Sequence, residues 1–394
     1  MMKKKAIVTG ITGQDGSYLV ELLLSKGYEV VGLKRRTSTN TEDRISHINS
    51  KDFSIVECEI SDSGSVYSVV EKHQPHEVYN LAAQSHVKTS FDQADYTFQV
   101  NTIGVINFLE AIKRFSPSAR FYQASTSEMF GKNYDTYIPM IADAKHSPVE
   151  PVKFQDEDTV FQPQSPYAAA KLASHNLVRI YREGYGLFGC CGILFNHESE
   201  RRGEHFVTRK ITKWIGEFLR WEKENSQNIP LKDLAGEDIP RFAISEETIA
   251  MPGQRMFIDM MRTPSFPKLR LGNVDTYRDW GHAKDYVNAM WLMMQQDDPE
   301  DYVISTGETY SVRDFLRIAF EHAGLGNYEA YFVIDPEFYR PAEVEYLRGN
   351  PSKAEDKLGW QREVNFIELV RRMVESDINN ESQKKEKNQP ETVS

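Results

Sequence analysis

The sequence predicts an α/β fold in which a doubly wound parallel sheet carries helices on both faces and a smaller, mixed α/β lobe follows it. Two observations carry this expectation. Short apolar strands alternate with helical stretches through the first half of the chain, and the first strand runs straight into a glycine-rich turn that opens a helix. Residues 6–8 form the first strand, residues 10–16 the turn, and residues 18–24 begin a leucine-rich helix. The second strand, 29–33, ends in the basic cluster Lys34-Arg35-Arg36. Further strands are expected at 54–57, 78–81, 120–123 and 190–194, with helices at 63–72 and 102–114 between them. After Phe195 the pattern loosens, and residues 302–305 return to the sheet. The expected division is a first domain over 1–195, rejoined by about 277–310, and a lobe from 196–276 and 311–378. The polar residues 379–394 read as a disordered tail.

Composition narrows the class. Of 394 residues, 40% are hydrophobic and 27% charged, enough to bury a core, and the net charge of −11 argues against a nucleic-acid partner. Cys58, Cys190 and Cys191 have no metal-site spacing, and two are adjacent in an apolar strand, which favours buried thiols in the cytoplasm. The basic start Lys3-Lys4-Lys5 is followed by too short an apolar run for a signal core, and no stretch reaches membrane-spanning length. Neither a metal nor a membrane is expected.

The turn reads Gly10-Ile11-Thr12-Gly13-Gln14-Asp15-Gly16, a G-x-x-G-x-x-G spacing between a strand and a helix. Glycines let the backbone approach a pyrophosphate, and the helix N-terminus supplies N–H donors. That makes the first domain Rossmann-type. An NAD site usually carries an acidic residue at the end of the second strand; this chain has Arg35 and Arg36, which suit a 2′-phosphate and point to NADP.

Tyr167-Ala-Ala-Ala-Lys171 places a phenol and an ammonium on one helical face. The ammonium favours the phenolate, so Tyr167 can act as a base toward a hydroxyl. Alone the pair is often an ordinary helix face. Upstream, however, Ser125-Thr126-Ser127-Glu128 follows a strand, and with the glycine turn this combination resembles the extended short-chain dehydrogenase/reductase superfamily. Five segments sharpen the likeness: Gly10–Leu19, Asn80–Val87, Gln123–Glu128, Leu194–Ser199 and Arg278–Tyr286 closely resemble the GDP-mannose 4,6-dehydratase family, with matching stretches over about residues 4–377.

The resemblance implies a reaction and a set of roles. GDP-mannose would lose water between C5 and C6 while bound NADP is reduced and regenerated. Tyr167 would deprotonate O4, Thr126 would bond O4, Glu128 would take the C5 proton and release O6, and Lys171 would hold the nicotinamide ribose; Ser127 would assist. Epimerases and reductases of the superfamily have no need of an acid beside the threonine. Gly10, Thr12, Gly13, Gln14, Asp15, Gly16, Arg35, Arg36, Glu59, Ile60, Leu81, Ala82, Ala83, Gln84, Ser85, Tyr96, His197 and Arg202 would line NADP, with Tyr167 and Lys171. Ser85, Asn196, Val207, Lys210, Arg278, Arg340 and Glu343 would hold GDP-mannose, its GDP end in the second lobe. A homo-oligomer, dimer or tetramer, is also implied.

The chain departs from the family pattern in places. Glu59-Ile60 stands for Asp-Leu, Gln164 and Glu200 replace an Arg and a Pro, and Asn350 replaces an Asp. Insertions are expected at about 132–153 and 224–266; the second could cover the site or a subunit contact. Competing readings are another sugar-nucleotide epimerase or reductase of the superfamily, and a non-catalytic NADP-sensing protein.

Overall fold

The computed structural model describes residues 3–38, 41–137, 151–225 and 266–387, with side chains as far as 384. It divides into two compact units: 1–201 with 275–311 and 340–369, and 202–274 with 312–339 and 370–394.

The first unit is built on seven parallel strands: β1 (Lys5–Thr9), β2 (Glu29–Lys34), β3 (Phe53–Glu57), β4 (Glu77–Asn80), β5 (Arg120–Thr126), β6 (Gly189–Leu194) and β7 (Tyr302–Ile304). Their order across the sheet is β7-β6-β5-β4-β1-β2-β3. Five helices are named here: α1 (Gln14–Ser25), α2 (Ser63–His73), α3 (Gly104–Phe115), α4 (Pro166–Tyr185) and α5 (Ala283–Met293). Side chains alternate along each strand, and both faces are buried except at the edge strand β3. Val8, Val30, Tyr79 and Tyr122 pack with α1 and α5 on one face. Ile7, Val31, Val78 and Phe121 pack with α2, α3 and Val178 of α4 on the other. The doubly wound sheet expected from the sequence is present; most strands extend the expected runs, whereas β4 starts and ends one residue earlier than expected and β7 ends one residue short.

Residues 340–369, expected in the second lobe, belong to the first unit. Buried polar contacts anchor them there. Trp360 is fully buried and donates from Nε1 to the Asp285 carbonyl at 2.8 Å. Asp285 also accepts from the Glu363 and Val364 amides, and buried Asp279 accepts from the Thr306, Gly307 and Gly349 amides. Asn196, also placed with the lobe on sequence grounds, is in the first unit, where it pairs with Trp280 in a parallel ribbon.

The second unit sets the helix Val207–Asn225 against the helix Val312–His322 and holds the strand pair Leu269–Leu271 and Phe332–Ile334. Trp214 is its aromatic centre, stacked on Phe218 at 5.1 Å, with its indole N–H donating to the Pro267 carbonyl. The helix Phe366–Lys387 closes the unit and overturns the expected start of the tail at 379. Glu381 is buried there and takes ion pairs from Arg220 and Lys384, which holds this polar stretch helical. The insertion expected at 224–266 lies almost wholly outside the described residues. Of the one at 132–153, only the ends are described, and they pair as antiparallel strands, Asp135–Tyr137 with Val152–Phe154. Among the described residues no helix is long and apolar enough to cross a membrane.

Candidate active site

Because the strands are parallel, their C-terminal ends share one edge of the sheet, where ligands of such folds bind. The glycine turn, Arg35-Arg36, residues 81–85 and the turn 126–128 all leave strands at that edge. In the first, Gly10 has φ +66°, and a Cβ there would come within about 3 Å of the backbone of Leu81 and Ala82. A Cβ on Gly16 would stand 2.3 Å from the Gly10 carbonyl oxygen. Both positions therefore need glycine, and the resulting cradle fits a dinucleotide pyrophosphate at the first turn of α1.

Residues 81–85 are held in place from below. Thr9 Oγ1 accepts from the amides of Leu81 and Ala82, and Asn101 closes a pair of bonds with the Gln84 backbone at 2.8 and 3.0 Å. Ala83 lies between these ties, and Ser85 is exposed beyond them. Neither Thr9 nor Asn101 was found by sequence reasoning, since a lone polar residue in a strand or helix has no spacing signal. Arg35 follows β2 and donates from NH1 to the Tyr96 hydroxyl at 3.0 Å, so these two expected cofactor residues meet. Arg36 is exposed beside it. Glu59 is engaged locally, accepting from Ser61, while Ile60 is buried against Gly104 as packing.

The side chains of Gln14 and Asp15 are tied to residues 197–199. His197 Nε2 lies 2.7 Å from Asp15 Oδ2, and its Nδ1 lies 2.8 Å from the Phe195 carbonyl. Gln14 donates to Asp15 Oδ1 and to the His197 carbonyl, and accepts from Ser199 Oγ. Glu200, which replaces a proline, accepts from Tyr18 of α1 at 3.0 Å and stands 3.5 Å from His282 Nε2. Burial alone would raise its pKa, but the bonds it accepts and the nearby His282 outweigh that and hold it at about 2.

The catalytic candidates sit on β5 and α4. Ser165 caps α4 by accepting from the Ala168 amide, Pro166 fills its first position, and Gly186 ends it at φ +67°. Lys171 reaches down to donate to the Ala124 carbonyl at 2.8 Å, and His175, one turn on, meets Ser125 Oγ at 3.1 Å. Tyr167, one turn earlier, is 8% exposed, with the Lys171 ammonium 6.0 Å from its ring centre. The loop before α4 is tied to the turn after β5, with the Gln162 amide donating to the Met129 carbonyl at 2.9 Å. In that turn Thr126 Oγ1 accepts from the Glu128 amide, Ser127 is buried, and Glu128 is 9% exposed.

Glu128 has a charged partner that spacing did not foresee. Arg340 NH1 lies 3.3 Å from its Oε1 and 3.7 Å from Glu343, which in turn pairs with buried Arg278 at 3.0 Å. Three residues expected at the GDP end thus form an alternating row of charges ending on Glu128. In the second unit, Val207 and Lys210 begin one helix, with the Lys210 ammonium 3.6 Å from the centre of the Phe338 ring. Arg202 lies in the same unit, stacked on Phe206.

Burial pushes Lys171 from an ordinary 10.5 down to about 8. Its folded pKa lies below its unfolded one, so the protonated side chain weakens the fold below pH 8, and this penalty fades between about 8 and 10. We therefore expect Lys171→Met to stabilise the protein by about 1–3 kcal/mol at pH 7 while losing activity. Urea unfolding would show that gain shrinking at pH 9.5; a gain independent of pH would mean Lys171 is not buried as an ammonium.

The family model for GDP-mannose 4,6 dehydratase matches residues 7–228 and 255–373, and the unmatched interval falls inside the expected second insertion. GDP-mannose 4,6 dehydratase 2 of Caenorhabditis elegans is 41% identical, over 95% of this chain and 89% of that protein. The Homo sapiens GDP-mannose 4,6 dehydratase is 40% identical over 95% of this chain and 91% of its own. In fold, the chain is similar to UDP-glucose 4-epimerase of Thermotoga maritima, with a TM-score of 0.71 at 21% identity, covering 96% of this chain and 99% of that one. It is also similar to dTDP-glucose 4,6-dehydratase of Bacillus anthracis, with a TM-score of 0.69 at 18% identity, covering 96% and 98%. With this site and these relatives, the chain belongs to the GDP-mannose 4,6-dehydratase family.

Proposed function

We propose that the chain converts GDP-mannose to GDP-4-dehydro-6-deoxy-mannose, with Glu128, Tyr167, Lys171 and Thr126 performing the chemistry. The observation that carries this reading is a buried carboxylate, Glu128, in the turn joined to the loop that leads into the Tyr167–Lys171 helix. NADP, when bound, supplies the redox change by taking a hydride from C4 and returning it at C6. Tyr167 accepts the O4 proton, and Lys171 stabilises the phenolate while fixed by the Ala124 carbonyl. Thr126 bonds the oxygen at C4. The 4-ketone acidifies C5–H; Glu128 takes that proton and delivers one to O6, so that water leaves. C5 later regains a proton from solvent, which makes solvent exchange at C5 a readout of Glu128.

The cofactor residues of the proposal are the glycine cradle, Arg35 and Tyr96, with the Leu81–Ser85 stretch, Tyr167, Lys171 and His197; Arg278, Arg340, Glu343, Asn196, Val207 and Lys210 are its substrate residues. A cytoplasmic setting is part of the same reading, supported by three free, buried cysteines. So is a homo-oligomer: Tyr96, Phe98, Ile103, Ile180 and Tyr185 are exposed apolar residues, and light scattering in solution tests it. Incubation with GDP-mannose tests the function. The 4-keto-6-deoxy product should form without net NADPH consumption; a C4 epimer or a reduced sugar would instead support the epimerase or reductase reading.

Arg35 tests the cofactor assignment. Arg35→Ala should weaken NADP by about ten- to a hundredfold while sparing NAD, the cost of a charge-assisted bond to a 2′-phosphate. Equal losses by calorimetry would show that Arg35 meets no such phosphate.

A further inference from the structure

Arg44 has no place in the catalytic row or in the Arg35-Arg36 pair, yet it touches the glycine turn directly. Its NH1 donates to the Thr12 carbonyl at 3.2 Å, and its Nε to the Arg201 carbonyl at 2.7 Å. The next amide, Gly13 N–H, donates to the Gly10 carbonyl at 2.9 Å, so the Thr12–Gly13 peptide is held at both of its polar atoms. Residue 201 is itself fastened to α1. Its guanidinium donates to Ser17 Oγ at 3.0 Å, pairs with Glu21 at 2.7 Å and lies 4.0 Å from the centre of the Tyr18 ring. Ser199 and Glu200 add the bonds to Gln14 and Tyr18 described above. One guanidinium thus closes a loop from the glycine turn, through the 199–201 segment, back to the first two turns of α1.

We propose that Arg44 is a positioning residue for the dinucleotide turn. By holding two carbonyls 189 residues apart (Thr12 and Arg201), it fixes the peptide that precedes α1. The first-turn amides of the helix, which have no partner within the helix, then stay aimed at the cofactor pyrophosphate. The proposal rests on the reading of the glycine turn as a pyrophosphate site. It differs from a ligand role in its signature. The pyrophosphate is common to NADP and NAD, so both should suffer alike, whereas a 2′-phosphate ligand discriminates between them.

The experiment is calorimetric titration of the full chain with NADP and with NAD, for Arg44→Gln, Arg44→Lys and Arg35→Ala, alongside urea unfolding without cofactor. Arg44→Gln should weaken NADP and NAD by the same factor, about tenfold. Arg44→Lys should not restore either affinity, because an ammonium on a single-atom tip lacks the planar fork that spans two carbonyls. Full rescue by lysine would overturn the proposal, leaving charge alone as the cause. A loss confined to NADP would overturn it in favour of a 2′-phosphate ligand. Unchanged affinities with a lowered unfolding midpoint would overturn it in favour of a purely structural tie. Arg35→Ala tests the NADP assignment separately, and the pyrophosphate reading itself fails if the unsubstituted chain binds neither NADP nor NAD.

Discussion

Tyr167→Phe should reduce turnover of GDP-mannose by about a thousandfold or more while leaving NADP affinity nearly unchanged. The substitution removes one oxygen and keeps the ring, which is largely buried at 8% exposure, so the helix start around Ser165 and Pro166 has no reason to shift. What disappears is the acceptor for the O4 proton. Without it, oxidation at C4 would have to expel a proton to water in a site where Tyr167, Thr126 and Ser127 are all buried. The block precedes every later step, so neither enzyme-bound NADPH nor exchange at C5 should appear. Stopped-flow absorbance at the reduced-nicotinamide band checks the first, and proton NMR in heavy water checks the second. Near-normal turnover in this variant would remove Tyr167 from the mechanism.

The parts of this site that the sequence displays are those whose members lie close together in the chain. Gly10, Gly13 and Gly16 sit within one turn; Tyr167 and Lys171 are one helical turn apart; Thr126 and Glu128 flank a single residue. Their spacing is dictated by local backbone geometry, so it survives reading in one dimension. The strand–helix alternation is legible for the same reason: the inner strands of the sheet are apolar on both faces. What stays hidden is contact across long separations. Arg340 reaches Glu128 from 212 positions away, and Arg44 reaches Arg201 from 157. Nothing in the local pattern around Arg340 or Arg44 distinguishes either from a solvated surface arginine. The assignment of 340–369 went astray likewise, because the bonds that anchor that stretch run to Asp279 and Asp285, far earlier in the chain. The side chains of Gln14 and Asp15 are likewise tied across a long separation, to His197 and Ser199.

Glu128→Gln should split the reaction between its first and second steps. Oxidation at C4 depends on Tyr167 and Lys171, neither of which is altered, so substrate addition should still produce enzyme-bound NADPH. Abstraction at C5 needs a group that can take a proton and release it to O6, and an amide can do neither at neutral pH. We expect C5 exchange with solvent and formation of the 6-deoxy product both to fall by about a hundred- to ten-thousandfold. Shape is not the issue, because glutamine keeps the volume and still offers its carbonyl oxygen to Arg340, which lies 3.3 Å from the carboxylate. The exchange therefore isolates charge and basicity. Arg340 then stands beside a neutral amide, and its remaining acidic neighbour is Glu343 at 3.7 Å. Because that pair persists, the row Arg340–Glu343–Arg278 should hold, and the KM for GDP-mannose should change far less than the exchange rate. The two measurements decide together. NADPH that forms without exchange places Glu128 at C5, as the dehydratase mechanism requires. Loss of both NADPH and exchange would move Glu128 to substrate positioning. Normal exchange in Glu128→Gln would take the elimination step away from this carboxylate altogether.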